Sequence, residues 1–511
     1  MESKTRQCWA CRRHRLVCDA THPECRKCAA RGIDCPGYGI AKPVRWVPPQ
    51  QARSKIQPQR KPANPSLRQI RDIASRAAVA PSLPASRELT ELLEGIQYYN
   101  SHICPDLAAT GIGGPKSPHF MPPEAISFFP SGTLQSLVSV ALCHRLLQTV
   151  DRPAEEKTAL TAKMHQHAGL AIKALAIFLD KPEKHTSDAT LACVITLMMA
   201  EIQAAHSSGW RQHVDGAAAV IRLCGGLSHI VFERPHMRHL LRYYAIVDVL
   251  GCSTSPRPNL ETTRNQLELM NIMSILYGNG LDTCVPCPPD LFVQIVRVNH
   301  LRAQLENVTS PSSSDRLSAA LDILRRVKAY PVGQWAAEVA LCNRTPLSTI
   351  ERGMSAPGFT GWLAMAKIFQ CAIAIYCISS LFPGAGGAGG ADSDSDELRA
   401  DDTGHPATWT ALAQARQNCL TILFDQLRNI KDFLQLRKFV LWPLVVAGTQ
   451  VGSREETTKT FILEELSWIS RAVGIAAPLV AKGFLQKRVW SLELEERKWD
   501  ELFDQAYLFA L

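Results

Sequence analysis

From about Ser86 to Leu511, apolar residues recur at helical spacing. Leu89, Leu92, Leu93, Ile96 and Ile103 share one helix face, with Ser86 placed to cap its start and Pro105 to end it. Trp210, His213, Val214, Ala217, Ala218, Ile221 and Cys224 form a cleaner stripe, closed by Gly225-Gly226. Phe461, Leu463, Leu466 and Ile469 follow the same rule, and His213 on the second stripe reads as a core histidine. No convincing run alternates apolar and polar residues as a half-buried strand does. The pattern predicts a large all-helical body over 86–511. Residues 384–402, where GAGGAGG runs into ADSDSDELRADD, predict a flexible loop and the one place where two subdomains would divide.

The pattern changes toward the N-terminus. Residues 41–85 are rich in Pro, Gln, Arg and Lys, as in Gln57-Pro58-Gln59-Arg60-Lys61-Pro62, and predict an extended basic linker. Leu67, Ile70, Ile73 and Ala77 suit about three helical turns, short of the heptads a coiled coil needs. Trp362–Phe382 is long enough to span a bilayer, but Lys367 and Gln370 interrupt it. Phe439–Gly448 is short and holds Pro443. Both read as buried core helices, so no membrane partner is expected.

Charge and cysteine content sharpen this division. Net charge is +9 over 511 residues, yet residues 1–62 alone carry 14 Lys+Arg against 4 Asp+Glu. The excess positive charge sits in the first eighth of the chain, which points to a polyanion as its partner. Six of the 17 cysteines fall within residues 8–35. Met1–Gln7 lack the apolar stretch of a signal peptide, so a reducing compartment is expected, and clustered cysteines there read as metal ligands.

The cysteine spacing is Cys8-x2-Cys11-x6-Cys18-x6-Cys25-x2-Cys28-x6-Cys35, two copies of one motif. Each C-x2-C brings two thiolates to one zinc, and six residues leave room for a short helix before the next ligand. Two tetrahedral zincs need eight ligand positions, and six cysteines fill them only if two bridge. The twofold pattern makes Cys8 and Cys25 the natural bridges. A single four-cysteine zinc with two spare thiols is the alternative, and it leaves the repeat without a reason.

The segment CWACRRHRLVCDATHPECRKCAARGIDCPGYG resembles the binuclear zinc cluster of fungal transcription regulators. The resemblance implies two Zn2+ ions, one held by Cys8, Cys11, Cys18 and Cys25, the other by Cys25, Cys28, Cys35 and Cys8. Pro23 stands where the family places the turn between halves. Two short helices and a domain over residues 1–40 are implied. Six thiolates and two Zn2+ leave the basic segment at about +8. Arg15 matches the family's base-contacting lysine and His14 the basic residue before it; Arg can serve guanine O6 and N7 bidentately. Arg12, Arg13, Arg26 and Lys27, and more weakly Arg31, are phosphate-contact candidates. Val17 stands where the family often has a basic residue. CGG-type triplets in double-stranded DNA are the implied target.

YYNSHICPDL (98–107), WRQHVDGAAAVIRLCGG (210–226) and FVLWPLVVAG (439–448) resemble the helical regulatory domain that follows such clusters. The family as a whole implies a nuclear regulator of RNA polymerase II transcription, commonly of metabolic or biosynthetic gene clusters. It implies transcription machinery or coregulators as partners, and leaves homodimer or monomer, and any small-molecule effector, open. The rival reading is a ligand-sensing or scaffolding regulator whose helical body is the working part. An enzyme is not expected. H-E-x-x-H and G-x-S-x-G do not occur, and Gly111–Ser117 has Pro115 where a phosphate loop needs glycine. Cys284-x2-Cys287 is a lone pair in a Pro-rich stretch and reads as two ordinary thiols. The acidic-apolar end, Trp499–Asp504, has the composition of an activation segment. Its apolar residues, with Val489 and Leu492, fit better a last amphipathic helix packed on the body.

Overall fold

The computed structural model describes residues 7–8, 10–11, 16–22, 24–32, 35, 86–111, 114–148, 153–204, 209–304, 313–342, 357–382, 406–452, 455–491 and 498–510. The chain forms two compact units, Met1–Ala80 and Pro81–Leu511. The 384–402 segment and the Leu67–Ala77 stripe lie outside the described residues.

The larger unit is helical, with no strand among the described residues. Its first helices are α1 (Ser86–Tyr98), α2 (Ser131–Gln148), α3 (Ala154–Leu179), α4 (Asp188–Ala204), α5 (Trp210–Leu223), α6 (Leu227–Glu233) and α7 (Arg238–Ser253). There follow α8 (Leu260–Leu267), α9 (Leu269–Leu276), α10 (Pro289–Gln304), α11 (Ser313–Ala329), α12 (Val332–Cys342) and α13 (Phe359–Leu381). The last are α14 (Pro406–Asn429), α15 (Leu441–Gly448), α16 (Glu456–Val473) and α17 (Ala477–Phe484).

Two apolar cores organise these helices. The smaller joins Leu92 and Ile96 of α1 to Leu134, Leu137, Val138 and Ala141 of α2 and Met199 of α4. The larger runs from α4 to the C-terminus. Helices α13 and α14, on either side of residues 384–402, pack directly on each other.

Helix α13 is the hub, touching α10, α11, α12, α14 and α15. Although long and apolar enough to cross a membrane, it is 83% buried by these neighbours over its most apolar 18 residues. Trp362, Phe369 and Tyr376 lie wholly inside, and Phe369 stacks on Trp442 of α15. Each such side chain contributes roughly 1.5–3 kcal/mol by leaving water. Gln370, which breaks the apolar run, closes the end of α11: its Nε2 donates to Val327 O at 2.7 Å and Tyr330 O at 3.2 Å.

The stripe predicted for α5 is seen, with Trp210, Val214, Ala217 and Ile221 buried and His213 half-buried. Gly225 and Gly226, at φ +96° and +97°, turn the chain out of it as L-residues rarely do. The Trp210 ring lies so close over Gly251 of α7 that no Cβ fits there.

The C-terminal stretch is packed but is not the helix expected. It makes one 3-10 turn, Trp499–Leu502, and continues without helix. Trp499, Leu502, Phe503 and Phe509 are buried. Arg302 of α10, with no exposed side-chain surface, is paired with Asp500 of this stretch. Its Nε donates to Asp500 Oδ1 at 3.0 Å and its Nη1 to Tyr376 Oη at 2.8 Å. Arg257 Nε donates to Asp500 Oδ2 at 2.9 Å. Trp499 Nε1 donates to Ser253 O at 2.9 Å. A full charge is tolerable inside only because all its donors are satisfied and a carboxylate faces it.

Candidate metal centre and nucleic-acid interface

In the N-terminal unit the cysteines replace an apolar core. Cys8, Cys11, Cys25 and Cys28 are buried together, with half-buried Ala10, Leu16, Cys18 and Cys35 against them. Two groups of four have their ligand sulfurs within 4.8 Å of one another: Cys8, Cys11, Cys18, Cys25 and Cys8, Cys25, Cys28, Cys35. Cys8 and Cys25 belong to both. Sulfur separations are 3.6 Å for Cys8–Cys25, 3.7 Å for Cys8–Cys28 and 3.7 Å for Cys11–Cys25. A tetrahedral zinc with Zn–S about 2.3 Å long sets its sulfurs about 3.8 Å apart, so these donors suit that ion.

The two halves repeat one local design. The Cys11 amide donates to Cys8 Sγ at 3.4 Å, and the Cys28 amide to Cys25 Sγ at 3.3 Å. These bonds place a backbone dipole on each sulfur shared by both groups, where thiolate charge needs support. Burial pushes the Cys8 and Cys11 thiols up and the Cys28 thiol up to about 12. In such surroundings thiolates persist beside a compensating cation. Neither group includes a carboxylate or imidazole, and an all-sulfur donor set selects zinc over hard cations.

The second half opens with a one-turn helix, Arg26–Ala29, on which Arg26 and Lys27 are exposed; Arg31 follows, also exposed. Sequence reasoning missed how this turn is held. Asp19 Oδ2 accepts from the Arg26 amide at 3.1 Å and from Thr21 Oγ1 at 2.8 Å, while Thr21 also donates to Glu24 O. The Thr21 hydroxyl and then the amides pull the Asp19 carboxyl below its usual range. Ala20 at φ 53° makes the reversal between them. The available signal was Asp19 and Thr21, polar residues that favour turns, between two cysteines. Arg12, Arg13, His14, Arg15 and Pro23 lie outside the described residues.

The other candidate sites do not assemble. Cys284 and Cys287 are buried; Cys287 Sγ donates to Pro288 O, and burial pushes the Cys284 thiol up to about 12. Neither joins a metal-ligating group among the described residues. Gly114–Lys116 forms a single 3-10 turn rather than the start of an α-helix.

A small N-terminal unit with paired four-sulfur groups and a helical body define a zinc-cluster DNA-binding transcription regulator. The chain belongs to the fungal specific transcription factor family: the model described as "Fungal specific transcription factor domain" matches residues 95–479, and "Fungal Zn(2)-Cys(6) binuclear cluster domain" matches residues 6–43. Among curated proteins, the chain is 25% identical to the phomenoic acid biosynthesis cluster-specific transcriptional regulator of Leptosphaeria maculans, over 99% of this chain and 90% of that one. It is 49% identical to acriflavine sensitivity control protein acr-2 of Neurospora crassa over 45 residues, 9% of this chain and 7% of that one. It is 41% identical to arginine metabolism regulation protein II of Saccharomyces cerevisiae over 44 residues, 9% of this chain and 5% of that one. No solved structure matches it.

Proposed function

We propose that residues 1–40 form a binuclear zinc cluster holding two Zn2+ ions, bridged by the Cys8 and Cys25 thiolates. The observation that carries this reading is the pair of four-sulfur groups with Cys8 and Cys25 common to both. Cys11 and Cys18 complete one site, Cys28 and Cys35 the other. The zincs supply the cross-links that an apolar core supplies elsewhere, so metal binding and folding of this unit are one event.

The cluster presents its first helix to the major groove. Arg15 donates to guanine O6 and N7 of a CGG-type triplet, and His14 sits beside it. Arg12, Arg13, Arg26 and Lys27 neutralise phosphates, giving affinity that falls steeply with salt. Residues 41–85 link this reader to the regulatory domain over 86–511. The protein acts in the nucleus on RNA polymerase II genes. The L. maculans relative, aligned over nearly the whole chain and named as cluster-specific, supports a biosynthetic gene cluster as the target.

Zinc content of the full chain tests the bridging: Cys8→Ser or Cys25→Ser removes both ions, while Cys35→Ser spares one. Equal loss in all three overturns it. Selection of random duplex DNA by the zinc-loaded chain tests the reader. Enrichment of CGG triplets, abolished by Arg15→Ala, is expected. Absence of zinc-dependent enrichment overturns DNA reading and moves the function to the helical body.

A further inference from the structure

Several buried cysteines of the helical unit are satisfied by the backbone. Cys143 Sγ donates to Gln203 O at 3.5 Å, Cys224 to Thr186 O at 3.6 Å, Cys287 to Pro288 O at 3.4 Å and Cys377 to Ala320 O at 3.8 Å. Cys371 of α13 and Cys419 of α14 differ, because each thiol is bonded to the other. The register of the two helices accounts for this meeting. The Phe382 ring, just past the end of α13, meets Trp409, at the start of α14, edge to face. Gly361, near the start of α13, lies against the Phe433 ring, just beyond α14. The helices are therefore antiparallel. Cys371 and Cys419 stand eleven and ten residues along them from the Phe382–Trp409 contact, at the same level. Cys419 lies on the face of α14 that packs on the core, with Leu412, Ala415 and Leu423.

The two thiols are not equivalent. Cys371 is 5% exposed, whereas Cys419 is half-buried and reaches solvent. Donation from Cys371 pulls the Cys419 thiol below its usual range; burial opposes this, and the Lys328 ammonium adds to it. The same bond, and then burial, push the Cys371 thiol up. Gln370, next to Cys371, donates from Nε2 to Lys328 O at 3.4 Å, so α13 itself holds Lys328 beside the pair. A partly exposed thiolate near a cation, backed by a second sulfur, is the setting in which a cysteine reacts with oxidants. Two sulfurs alone do not complete a zinc site, and neither cysteine joins a metal-ligating group among the described residues.

We propose that Cys419 and Cys371 are a redox modification site, oxidised by a hydroperoxide to a disulfide that links α14 to α13. The Cys419 thiolate attacks one peroxide oxygen, the O–O bond breaks, and hydroxide leaves with the proton that Cys419 had released, as water. Cys419 is then a sulfenic acid. The Cys371 sulfur attacks the Cys419 sulfur, the S–O bond breaks, and the sulfenic hydroxyl leaves with the Cys371 proton as a second water. The two sulfurs lose two electrons between them, and hydrogen peroxide gains them. A small thiol reductant reverses the change by exchange. The disulfide closes a loop over the 47 residues between the two cysteines and ties the hub helix of the body to its neighbour. The proposal concerns the helical unit and does not rest on DNA reading.

The test is peptide mapping by mass spectrometry of the zinc-loaded full chain after titration with hydrogen peroxide, with remaining thiols blocked before digestion. A peptide carrying Cys419 linked to the one carrying Cys371 is expected, and dithiothreitol abolishes it. Cys377 lies in the same tryptic peptide as Cys371. Cys377→Ala therefore keeps the link, while Cys371→Ala loses it. In Cys371→Ala the oxidation of Cys419 stops at the sulfenic acid, which a 1,3-diketone traps. In Cys419→Ser the buried Cys371 stays reduced. Unchanged melting temperature and zinc content show that the variants retain the fold, and the wild-type map needs no variant. Cys371 and Cys419 that both stay free while the cluster cysteines oxidise overturn the proposal. So does a link from Cys419 to any other cysteine. A wild-type Cys419 that the diketone traps without a disulfide ever forming overturns it as well, because the two sulfurs then do not meet.

Discussion

The two units of this chain solve the problem of cohesion in opposite ways. In the N-terminal unit the buried residues are sulfurs, held about a zinc's width apart, and apolar side chains only fringe them. In the helical unit α13 carries Trp362, Phe369 and Tyr376 into a continuous apolar core, and Arg302, wholly buried, is matched by a carboxylate. The first unit is too small to bury enough surface, so it depends on a cofactor. The second holds itself together with a large apolar core whose parts come from distant points in the sequence.

Metal removal separates the two most sharply. A zinc chelator is expected to unfold residues 8–35 and abolish DNA binding while leaving melting of the helical unit unchanged. Hydrogen exchange at the Cys11 and Cys28 amides, measured in the full chain, reads this directly. A parallel loss of protection along α13 would dissolve the contrast.

Within the helical unit the largest effect is expected at the C-terminal clasp. Asp500→Asn leaves the Arg302 charge inside without its counter-ion, a loss of about 3 kcal/mol. Replacing both residues, Arg302→Met with Asp500→Leu, recovers most of it. Urea unfolding followed by tryptophan fluorescence measures each variant. The fungal specific transcription factor match ends at residue 479, yet this prediction treats residues 499–509 as core.

A smaller effect follows from His144, which is 4% exposed and shares a 2.9 Å hydrogen bond with the Tyr98 hydroxyl. Burial lowers its imidazole from 6.5 to about 4. Above pH 6.5 both folded and unfolded forms are neutral and the stability is fully present. As pH falls toward 4 the unfolded chain binds the proton first, and about 2 kcal/mol is lost. Thermal melts between pH 7 and 4 should show this fall, and His144→Gln should flatten it. The smallest effect is expected at α8, where Asn259 Oδ1 accepts from the Thr262 amide at 2.7 Å. Asn259→Ala should cost about 1 kcal/mol by chemical denaturation, with zinc content unchanged.

How much was legible differs between the units for the same physical reason. Metal ligands must be of particular residue types at particular spacings, so the twofold motif and its shared positions, Cys8 and Cys25, could be read directly. The cap that Asp19 and Thr21 provide was missed because short polar residues in a loop have many uses. In the body, periodicity located α5 and its glycine stop, since a stripe at 3.6-residue spacing is local information. The same reasoning expected a helix at the C-terminus. Apolar spacing there was real, but burial of Trp499, Phe503 and Phe509 is achieved by a 3-10 turn and non-helical chain.

The sequence by itself determined a zinc-cluster module, a basic N-terminal segment and a helical body, because spacing, charge and periodicity act over a few residues. Only the tertiary structure decided that Arg302 meets Asp500 across nearly two hundred residues, that α13 is enclosed by five other helices, and that the end of α3 is not. Those outcomes depend on which faces meet when the whole chain packs, and a single apolar stripe does not name the surface that will cover it.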